Sequence, residues 1–531
     1  MGTLCMLWVM LMPLFAQQIS RESQERLMMQ QRKLAFLLNV VENLYVDTVD
    51  IQSVTDDAIV SVLEELDPHS AYIPKDEVQR ANEALEGSFS GIGVQFQMLE
   101  DTLFVIQTIS GCPAEKVGVF PGDRIVMVED TVIAGVKMPT SAIMKRLRGP
   151  KGSTVRVKVK RDGVEDLIEF AIVRDKIPIN SLDAAYLVAP GIGYLKTNNF
   201  GATTLDEVHD AWKKLQKQGA KKMIVDLQGN GGGYLTAAIE MADDFLEKDR
   251  IIVYTQGEHQ ARSVAKSTER GIFEKGPLVI LVDEFSASAS EIVSGAVQDW
   301  DRGVIIGRRT FGKGLVQRQM LMPDGSALRL TTARYYTPTG RCIQKPYKGV
   351  DYQKDLMERQ QHGELMHADS IHFPDSLKYS TLLNARTVYG GGGIMPDIFI
   401  PVDTNRYTDY HRNLMAKGVL NRFCVLYVDQ HREELKRQYK HFEQYKEDFH
   451  VTDEMLGNLK VMGEKEKVEF DEKQFDQSKR LIQLQIKALI ARDIWEDQCY
   501  YEIMNEENDA LKKALEILST EDMYENALKR K

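Results

Sequence analysis

The sequence is poor in cysteine, with five residues among 531, at positions 5, 112, 342, 424 and 499. They form no Cys-x-x-Cys pair and no cluster with histidine, so neither a zinc site nor a disulfide framework is predicted. An excess of positive charge is also missing, because the formal net charge is -11. Nucleic-acid-binding proteins usually carry a basic surface, and we therefore expect no nucleic-acid partner.

Long hydrophobic runs are equally scarce. The one that stands out covers residues 4–15 and is followed by Ala16-Gln17-Gln18. It is short for a membrane span and resembles the apolar region and cleavage site of a secretory signal. We expect a signal peptide over residues 1–16 and an exported, periplasmic protein. That protein would be soluble, or anchored by an uncleaved signal and peripherally associated with the membrane; the alternative is a buried helix.

Hydrophobic periodicity divides the remaining chain into regions of different type. Residues 17–87 have helical spacing, and residues 88–175 change to short strands and turns. Residues 176–402 alternate apolar strands with helices, which predicts a layered α/β domain, with a polar insertion at about 347–390. Residues 403–531 are helical and rich in mixed charge, as in a solvated bundle. The terminal helical regions are our candidates for contact with a second copy.

Ser288 is the most informative candidate for chemistry. It lies in Ser-Ala-Ser-Ala-Ser-Glu, directly after the apolar strand 278–282. A serine hydroxyl needs a nearby base, and a helix beginning here would offer the Ala289 N–H to an oxyanion. The alternative is that the three serines only cap the helix, with Glu291 completing a capping box.

Lys313 follows a second apolar strand, and residues 307–313 match the start of a phosphate-binding loop. Gly314 stands where that motif needs serine or threonine. The helix that should follow is also missing, because residues 315–320 continue toward a turn pattern at Pro323-Asp324-Gly325. We therefore reject a phosphate-binding loop and keep an ATPase built on residues 307–313 only as a third, weaker alternative. A lysine whose pKa is lowered by burial can act as a base, and Gln317 is spaced to hydrogen-bond its amine.

A glycine-rich loop, residues 228–233, follows another strand and could present backbone N–H groups to an anion. Its spacing does not fit dinucleotide binding, and we choose Gly232 as the second oxyanion donor. A histidine triad is disfavoured, because Gly-x-Ser-x-Gly is absent around Ser288. His69 follows a turn proline and is interpreted as structural.

Together these motifs resemble the C-terminal processing peptidases, which are tail-specific serine peptidases. The resemblance runs from about residue 36 to residue 400 and rests on Gly-Asn-x-Gly-Gly, Ser-Ala-Ser-Ala-Ser-Glu and Phe-Gly-Lys-Gly-x-Val-Gln. Residues 335–341 and 393–397 also fit. The order of strands and helices in residues 88–175 resembles a PDZ domain. The family implies a multidomain α/β fold, with a crotonase-like or ClpP-like protease core at 176–402 and helical N- and C-terminal regions.

The resemblance also implies roles for individual residues. Ser288 would be the nucleophile, Lys313 the base and Gln317 its orienting partner. The backbones of Ala289 and Gly232 would hold the oxyanion. Neither a metal nor a cofactor is expected. The PDZ loop that receives the substrate carboxylate would consist of Gly91, Ile92, Gly93 and Val94.

The sequence departs from the family pattern at two places. Gln228 stands where the family usually has arginine, and the insertion and long C-terminal region resemble the longer Bacteroidetes-type members. We expect a serine endopeptidase that cleaves exported proteins near their C-termini. A non-catalytic PDZ scaffold that binds protein tails is the alternative.

Overall fold

The computed structural model describes residues 21–349, 351–352 and 354–529, so the expected signal peptide at 1–16 lies outside it. The helices in this part of the chain are α1 (Arg21–Leu44), α2 (Ile51–Glu64), α3 (Lys75–Glu86), α4 (Pro113–Val117), α5 (Thr140–Leu147), α6 (Thr204–Lys217), α7 (Leu235–Asp243), α8 (Ala289–Asp299), α9 (Asp355–Gln361), α10 (Asp409–Ala416), α11 (Val419–Gln438), α12 (Phe442–Asp448), α13 (Asp453–Lys465), α14 (Glu472–Ile494), α15 (Asp497–Met504), α16 (Asp509–Leu518) and α17 (Glu521–Lys529).

The strands of the same residues are β1 (Ala71–Ile73), β2 (Ser88–Gly91), β3 (Val94–Leu99), β4 (Thr102–Thr108), β5 (Arg124–Val128), β6 (Thr131–Val132), β7 (Thr154–Lys160), β8 (Ile168–Val173), β9 (Asp175–Pro178), β10 (Leu182–Ala189), β11 (Ile192–Thr197), β12 (Lys222–Asp226), β13 (Ile251–Gly257), β14 (Gln260–Lys266), β15 (Leu278–Val282), β16 (Val304–Gly307), β17 (Leu315–Leu321), β18 (Ala327–Tyr336), β19 (Lys378–Ser380), β20 (Thr387–Tyr389) and β21 (Ile398–Phe399).

Among the described residues, the smaller of two compact units contains residues 21–75, 256–262 and 317–333. Asp50 caps α2 by accepting hydrogen bonds from two backbone N–H groups of its first turn. The short strand β1 pairs antiparallel with β18, so that Tyr72 lies opposite Leu328. Helix α1 carries apolar side chains that remain exposed.

The larger unit is built around a six-stranded sheet in the order β10-β11-β12-β15-β16-β21. β10 runs antiparallel to β11, and every later neighbour pair is parallel. Helices α6 and α8 lie between successive parallel strands in the chain. The multidomain α/β class is confirmed, and the loops that follow β12, β15 and β16 all leave the same edge of the sheet.

Side chains alternate across this sheet, and each face has its own apolar core. Val225 and Ile280 pack with helices α6, α7 and α8 on one face. Ile224 and Val279 point to the other face, where they pack with residues of α16 and α17. The last two helices are therefore a layer of the α/β domain, covering a sheet that would otherwise expose an apolar surface.

Residues 88–178 form a second sheet in the order β3-β4-β5-β7-β8, with β6 on β5 and a separate β2–β9 pair. Its core contains buried branched side chains from the strands and from α4 and α5, such as Val157 and Ile143. Strand β3 pairs with β4 on one side. Within the described residues no strand covers its other edge.

Helices α10 to α14 form a bundle with its own apolar core, which α15 extends. The predicted insertion contains α9 and the β19–β20 hairpin among its described residues. Two of its arginines are nearly fully buried against the α/β domain: Arg386 pairs with Asp301 at 2.6 Å, and Arg359 contacts the loop after β16. No helix in the described residues is both long and apolar enough to cross a membrane.

Candidate active site

Ser288 occupies a strained position between β15 and α8. Its φ of 56° and ψ of -110° are unusual for a residue other than glycine, and such strain concentrates at functional sites. The neighbouring serines differ from it. Ser286 donates to the carbonyl of Leu227 at 2.7 Å and Ser290 to that of Asn230 at 2.9 Å, and both are fully buried. Ser288 is half-buried at the start of α8, where N–H groups lack intrahelical partners.

Glu291 joins the serine to the lysine loop. Its Oε2 accepts from the backbone N–H of Ser288 at 2.8 Å and from that of Lys313 at 2.9 Å. Its Oε1 accepts from the Gly312 N–H at 2.7 Å and from the Thr310 hydroxyl. Two loops that follow different strands therefore meet on one carboxylate. The capping-box pattern predicted its contact with Ser288, but nothing in the sequence pointed to the contact with Lys313.

Glu291 is buried, but its carboxylate is surrounded by hydrogen-bond donors. The side chain is 0% exposed, and burial raises the pKa of its carboxyl, while the four donors act in the opposite direction. Hydrogen bonds of this kind are charge-assisted and strong when the carboxylate is ionised. The contacts fix the backbones on which Ser288 and Lys313 stand.

The loop that carries Lys313 is also held from its far side. Arg359 of the insertion donates to the carbonyls of Arg309 at 2.7 Å and Thr310 at 3.2 Å. The backbone N–H of Lys345 donates to the Gly312 carbonyl at 2.9 Å. Burial lowers the pKa of Lys345, and its pairing with Asp355 at 2.7 Å counteracts that shift. No sequence motif pointed to the contacts of Arg359 or Lys345 with this loop.

The glycine loop lies directly against the serine. A Cβ on Gly232 would stand 2.8 Å from Cβ of Ser288 and 3.0 Å from the Ala289 nitrogen. The two backbones chosen as oxyanion donors are thus neighbours. In this structure the Gly232 N–H donates to Oδ1 of Asn230 at 2.9 Å. It would have to leave that partner to bind an oxyanion, and its role stays a prediction.

Gln228, the departure from the family pattern, has a partner of its own. Its Oε1 accepts from the Asn508 side chain at 3.0 Å, just before α16. Its carbonyl accepts from the ammonium of Lys196, which also pairs with Asp226 at 3.2 Å. The start of the glycine loop is therefore anchored by a buried lysine and by the C-terminal segment.

Gln317 lies in the smaller unit, whereas Ser288 and Lys313 lie in the larger one. Its side-chain amide donates to the carbonyl of His69. We predicted a structural role for His69, and this contact agrees with it. The backbone N–H of His69 also donates to Oδ1 of Asp67 at 2.8 Å. The orienting role of Gln317 toward Lys313 stays a prediction.

The predicted carboxylate loop leads from β2 into the open-edged strand β3. Gly93 has a φ of 80°, and a Cβ there would stand 2.4 Å from Cβ of Cys112, so only glycine fits. The carbonyl of Ile92 accepts from the Ala114 N–H at 2.8 Å. The loop is thus fixed at the start of β3, and its role in binding a peptide carboxylate stays a prediction.

A serine on a strained turn, a lysine loop fixed to it and an open-edged peptide-binding sheet define a hydrolase of the serine peptidase class. Family models agree: residues 191–354 match peptidase family S41, residues 90–172 match the PDZ domain, and residues 410–496 match a family of unknown function. The chain belongs to peptidase family S41 and is a serine protease of the C-terminal processing type.

Individual relatives show how far the similarity extends. The carboxy-terminal-processing protease of Bartonella bacilliformis is 34% identical over 350 residues, which are 65% of this chain and 79% of the relative. The carboxy-terminal processing protease CtpA of Bacillus subtilis is 33% identical over 58% of this chain and 65% of its own length. Among solved structures, the photosystem II D1 C-terminal processing protease is 28% identical, with a TM-score of 0.34 over 59% of this chain and 90% of that one.

Proposed function

We propose that this protein is an exported serine endopeptidase that cleaves proteins near their C-termini with a Ser288/Lys313 site. The observation that carries the proposal is the shared Glu291 oxygen, which brings the backbones of both residues to one carboxylate. A structural capping residue would have no need to hold the lysine loop as well. Membership of family S41 supports the reaction class.

The reaction begins with capture of the substrate tail. The PDZ domain adds the tail as a strand to β3, with its carboxylate in the loop 91–94. Neutral Lys313, oriented by Gln317, takes the proton of Ser288 as the hydroxyl oxygen attacks the peptide carbonyl. The backbone N–H groups of Ala289 and Gly232 hold the oxyanion. Lys313 then protonates the leaving amine, and water hydrolyses the acyl-enzyme.

The cellular setting is part of the same proposal. The apolar run before Ala16 supports export to the periplasm, as a soluble or signal-anchored protein. Exposed apolar side chains on α1, among them Phe36 at 72% exposure, support a homo-oligomer formed through the terminal helices. The insertion and the bundle beyond residue 409 support a long form of the family, of the Bacteroidetes type.

Two substitutions test the site. We expect Ser288→Ala and Lys313→Ala each to abolish casein cleavage, because one removes the nucleophile and the other its base. Both should still bind peptides that end in a free carboxylate, as measured by fluorescence anisotropy. Arg318→Ala serves as a control, since it removes a cation from β17, the strand that follows Lys313 in the chain. Cleavage by either active-site variant would refute the assignment. If the wild-type protein itself binds peptides but cleaves no casein, the scaffold alternative is favoured.

A further inference from the structure

A peptide tail bound in the PDZ groove can continue into the rest of the substrate at one end only, the end opposite its carboxylate. In the proposed capture step, the tail carboxylate lies beside Gly91–Val94, at the start of β3, and the peptide pairs along the free edge of that strand. The upstream part of the substrate therefore emerges at the other end, beside Met98 and Leu99. Strand β3 has six residues, so about six residues of tail fill the edge before the chain emerges.

The helical bundle is docked against the same sheet. Arg124 of β5 pairs with Asp429 of α11 at 2.6 Å, and Gln107 of β4 donates to the carbonyl of Arg492 at 2.6 Å. A small apolar cluster joins the two parts, formed by Leu99, Phe104 and Val425. The bundle thus covers a face of the sheet and reaches the end of β3 while leaving its edge open.

A crevice of about 670 Å³ lies where the chain would emerge. We call it the exit crevice. Its lining includes Met98–Asp101 at the tip of the β3–β4 hairpin, and Leu426, Asn458, Val461, Met462 and Lys465 of the bundle. Its volume is in the range of ligand sites. Val461 is 51% exposed, which leaves an apolar side chain available to a ligand.

The hairpin tip at this crevice is strained and held in place. Glu100 and Asp101 have φ values of 45° and 61°, where a two-residue hairpin turn favours asparagine and glycine. Asp101 accepts from the Lys137 N–H through its side chain at 2.6 Å and from the Gly135 N–H through its carbonyl at 3.0 Å. These hydrogen bonds hold the turn in place, so its two acidic side chains line one side of the crevice.

We propose that the exit crevice binds the substrate segment immediately upstream of the tail held in the PDZ groove. The proposal deepens the proposed function and rests on its capture step. The occupant is an extended polypeptide, because Met98 and Leu99 line both the crevice and the pairing edge, which makes the two sites continuous. Apolar side chains of the segment pack on Leu426, Val461 and Met462, and charged ones meet the acidic turn or Lys465.

The test compares peptides of two lengths on the full chain carrying Ser288→Ala. The probe is the tightest binder from an array of hexapeptides with apolar C-terminal residues and free carboxylates. The second peptide is the same sequence extended by eight residues at its amino end. We expect the longer peptide to bind about fivefold more tightly, which corresponds to burying about one methylene group.

Val461→Glu should remove that gain and leave the affinity of the hexapeptide unchanged. Its matched control is Met415→Glu, which changes a 43% exposed side chain of the same bundle outside the crevice and should keep the gain. A photo-crosslinking residue at the exposed position 458 provides a second measurement, which needs no disruptive change. It should capture the longer peptide and not the hexapeptide.

The outcomes separate the two proposals. If a hexapeptide binds but the extension adds nothing, or if Met415→Glu removes the gain as Val461→Glu does, the exit crevice is refuted and capture stands. If the site at position 458 captures both peptides or neither, the crevice proposal is likewise refuted. If no hexapeptide binds, the capture step is wrong and the crevice proposal falls with it.

Discussion

Glu291 shows how one buried carboxylate can organise a site without taking part in the chemistry. A buried charge is costly unless hydrogen bonds replace its water, and this one accepts from three backbone N–H groups and a hydroxyl. The donors come from the turn at Ser288 and from the loop at residues 310–313. We therefore regard Glu291 as a positioning residue that fixes the backbones of Ser288 and Lys313, the two residues that we propose react.

Replacing Glu291 by glutamine tests this role. The amide keeps the shape of the side chain but directs a donor toward N–H groups that also donate. Each unsatisfied group costs about 1–3 kcal/mol, so we expect turnover of casein to fall about 100-fold. Peptide binding should be unchanged, because the PDZ loop does not contact Glu291. Full activity in Glu291→Gln would show that the carboxylate has only a capping role.

The pH dependence of casein turnover in the same variant is a second measurement. If Glu291 only stabilised the fold, this pH dependence would not change. Burial raises the pKa of Glu291, so its carboxylate is protonated at a higher pH than an exposed glutamate. Protonation would turn one acceptor into a donor. We expect wild-type turnover to fall as the pH drops through that raised pKa. Protonation of the proposed base, Lys313, lowers turnover in both proteins. The wild type should show an additional fall that the residual activity of Glu291→Gln lacks, and identical pH profiles in both proteins would contradict the assignment.

At the scale of elements, the glycine loop depends on one position where a side chain cannot fit. Gly232 has a φ of 102° and faces Ser288, whereas Gly231 has open space and no left-handed backbone. The two neighbours therefore form a matched pair. Only Gly232 contributes a backbone that packs against Ser288.

We expect Gly232→Ala to lose about 100-fold in turnover, in keeping with the loss of one oxyanion donor. Strain in the left-handed region should also lower the free energy of unfolding by about 1–3 kcal/mol. Gly231→Ala should keep both activity and stability close to wild type. Casein cleavage and urea unfolding of the two variants check this, and equal effects would show that the loop tolerates a side chain at either position.

The elements around the site were largely predictable because apolar strands ending in small residues are local patterns. The strands before Ser288 and Lys313 appear where the sequence predicted them. After Lys313 the sequence indicated only that no helix follows, and the structure has the strand β17 there. The supports of the site were not predictable. Arg359 lies in the irregular insertion, and Asn508 is 280 residues away from Gln228 along the chain. Such pairings depend on tertiary packing, which no local spacing encodes.

At the scale of the whole molecule, the end of the chain is part of the α/β domain. Helices α16 and α17 pack on the sheet face formed by residues such as Tyr194 and Val279. The Tyr524 hydroxyl donates to the Leu278 carbonyl at 3.2 Å and accepts from its N–H at 3.0 Å. Composition alone suggested one solvated helical region after residue 403. The structure instead divides it between a bundle that contacts the PDZ domain and a layer that covers the sheet.

This division predicts that a core substitution near the C-terminus will destabilise the protease domain. Leu518 is 0% exposed on the covered sheet face, and its carbonyl accepts from the ammonium of Lys222. Leu518→Ala would leave a cavity against the sheet and should lower the free energy of unfolding by about 2–5 kcal/mol. Met523→Ala is the control, because Met523 is 37% exposed on α17 and its loss should cost less than about 0.5 kcal/mol. The measurement is urea unfolding, with casein cleavage assayed at each urea concentration.

If α16 and α17 were a detachable appendage, cleavage would persist through the first unfolding transition. We expect one transition, in which structure and activity are lost together, because the sheet that carries Ser288 is the same sheet that these helices cover.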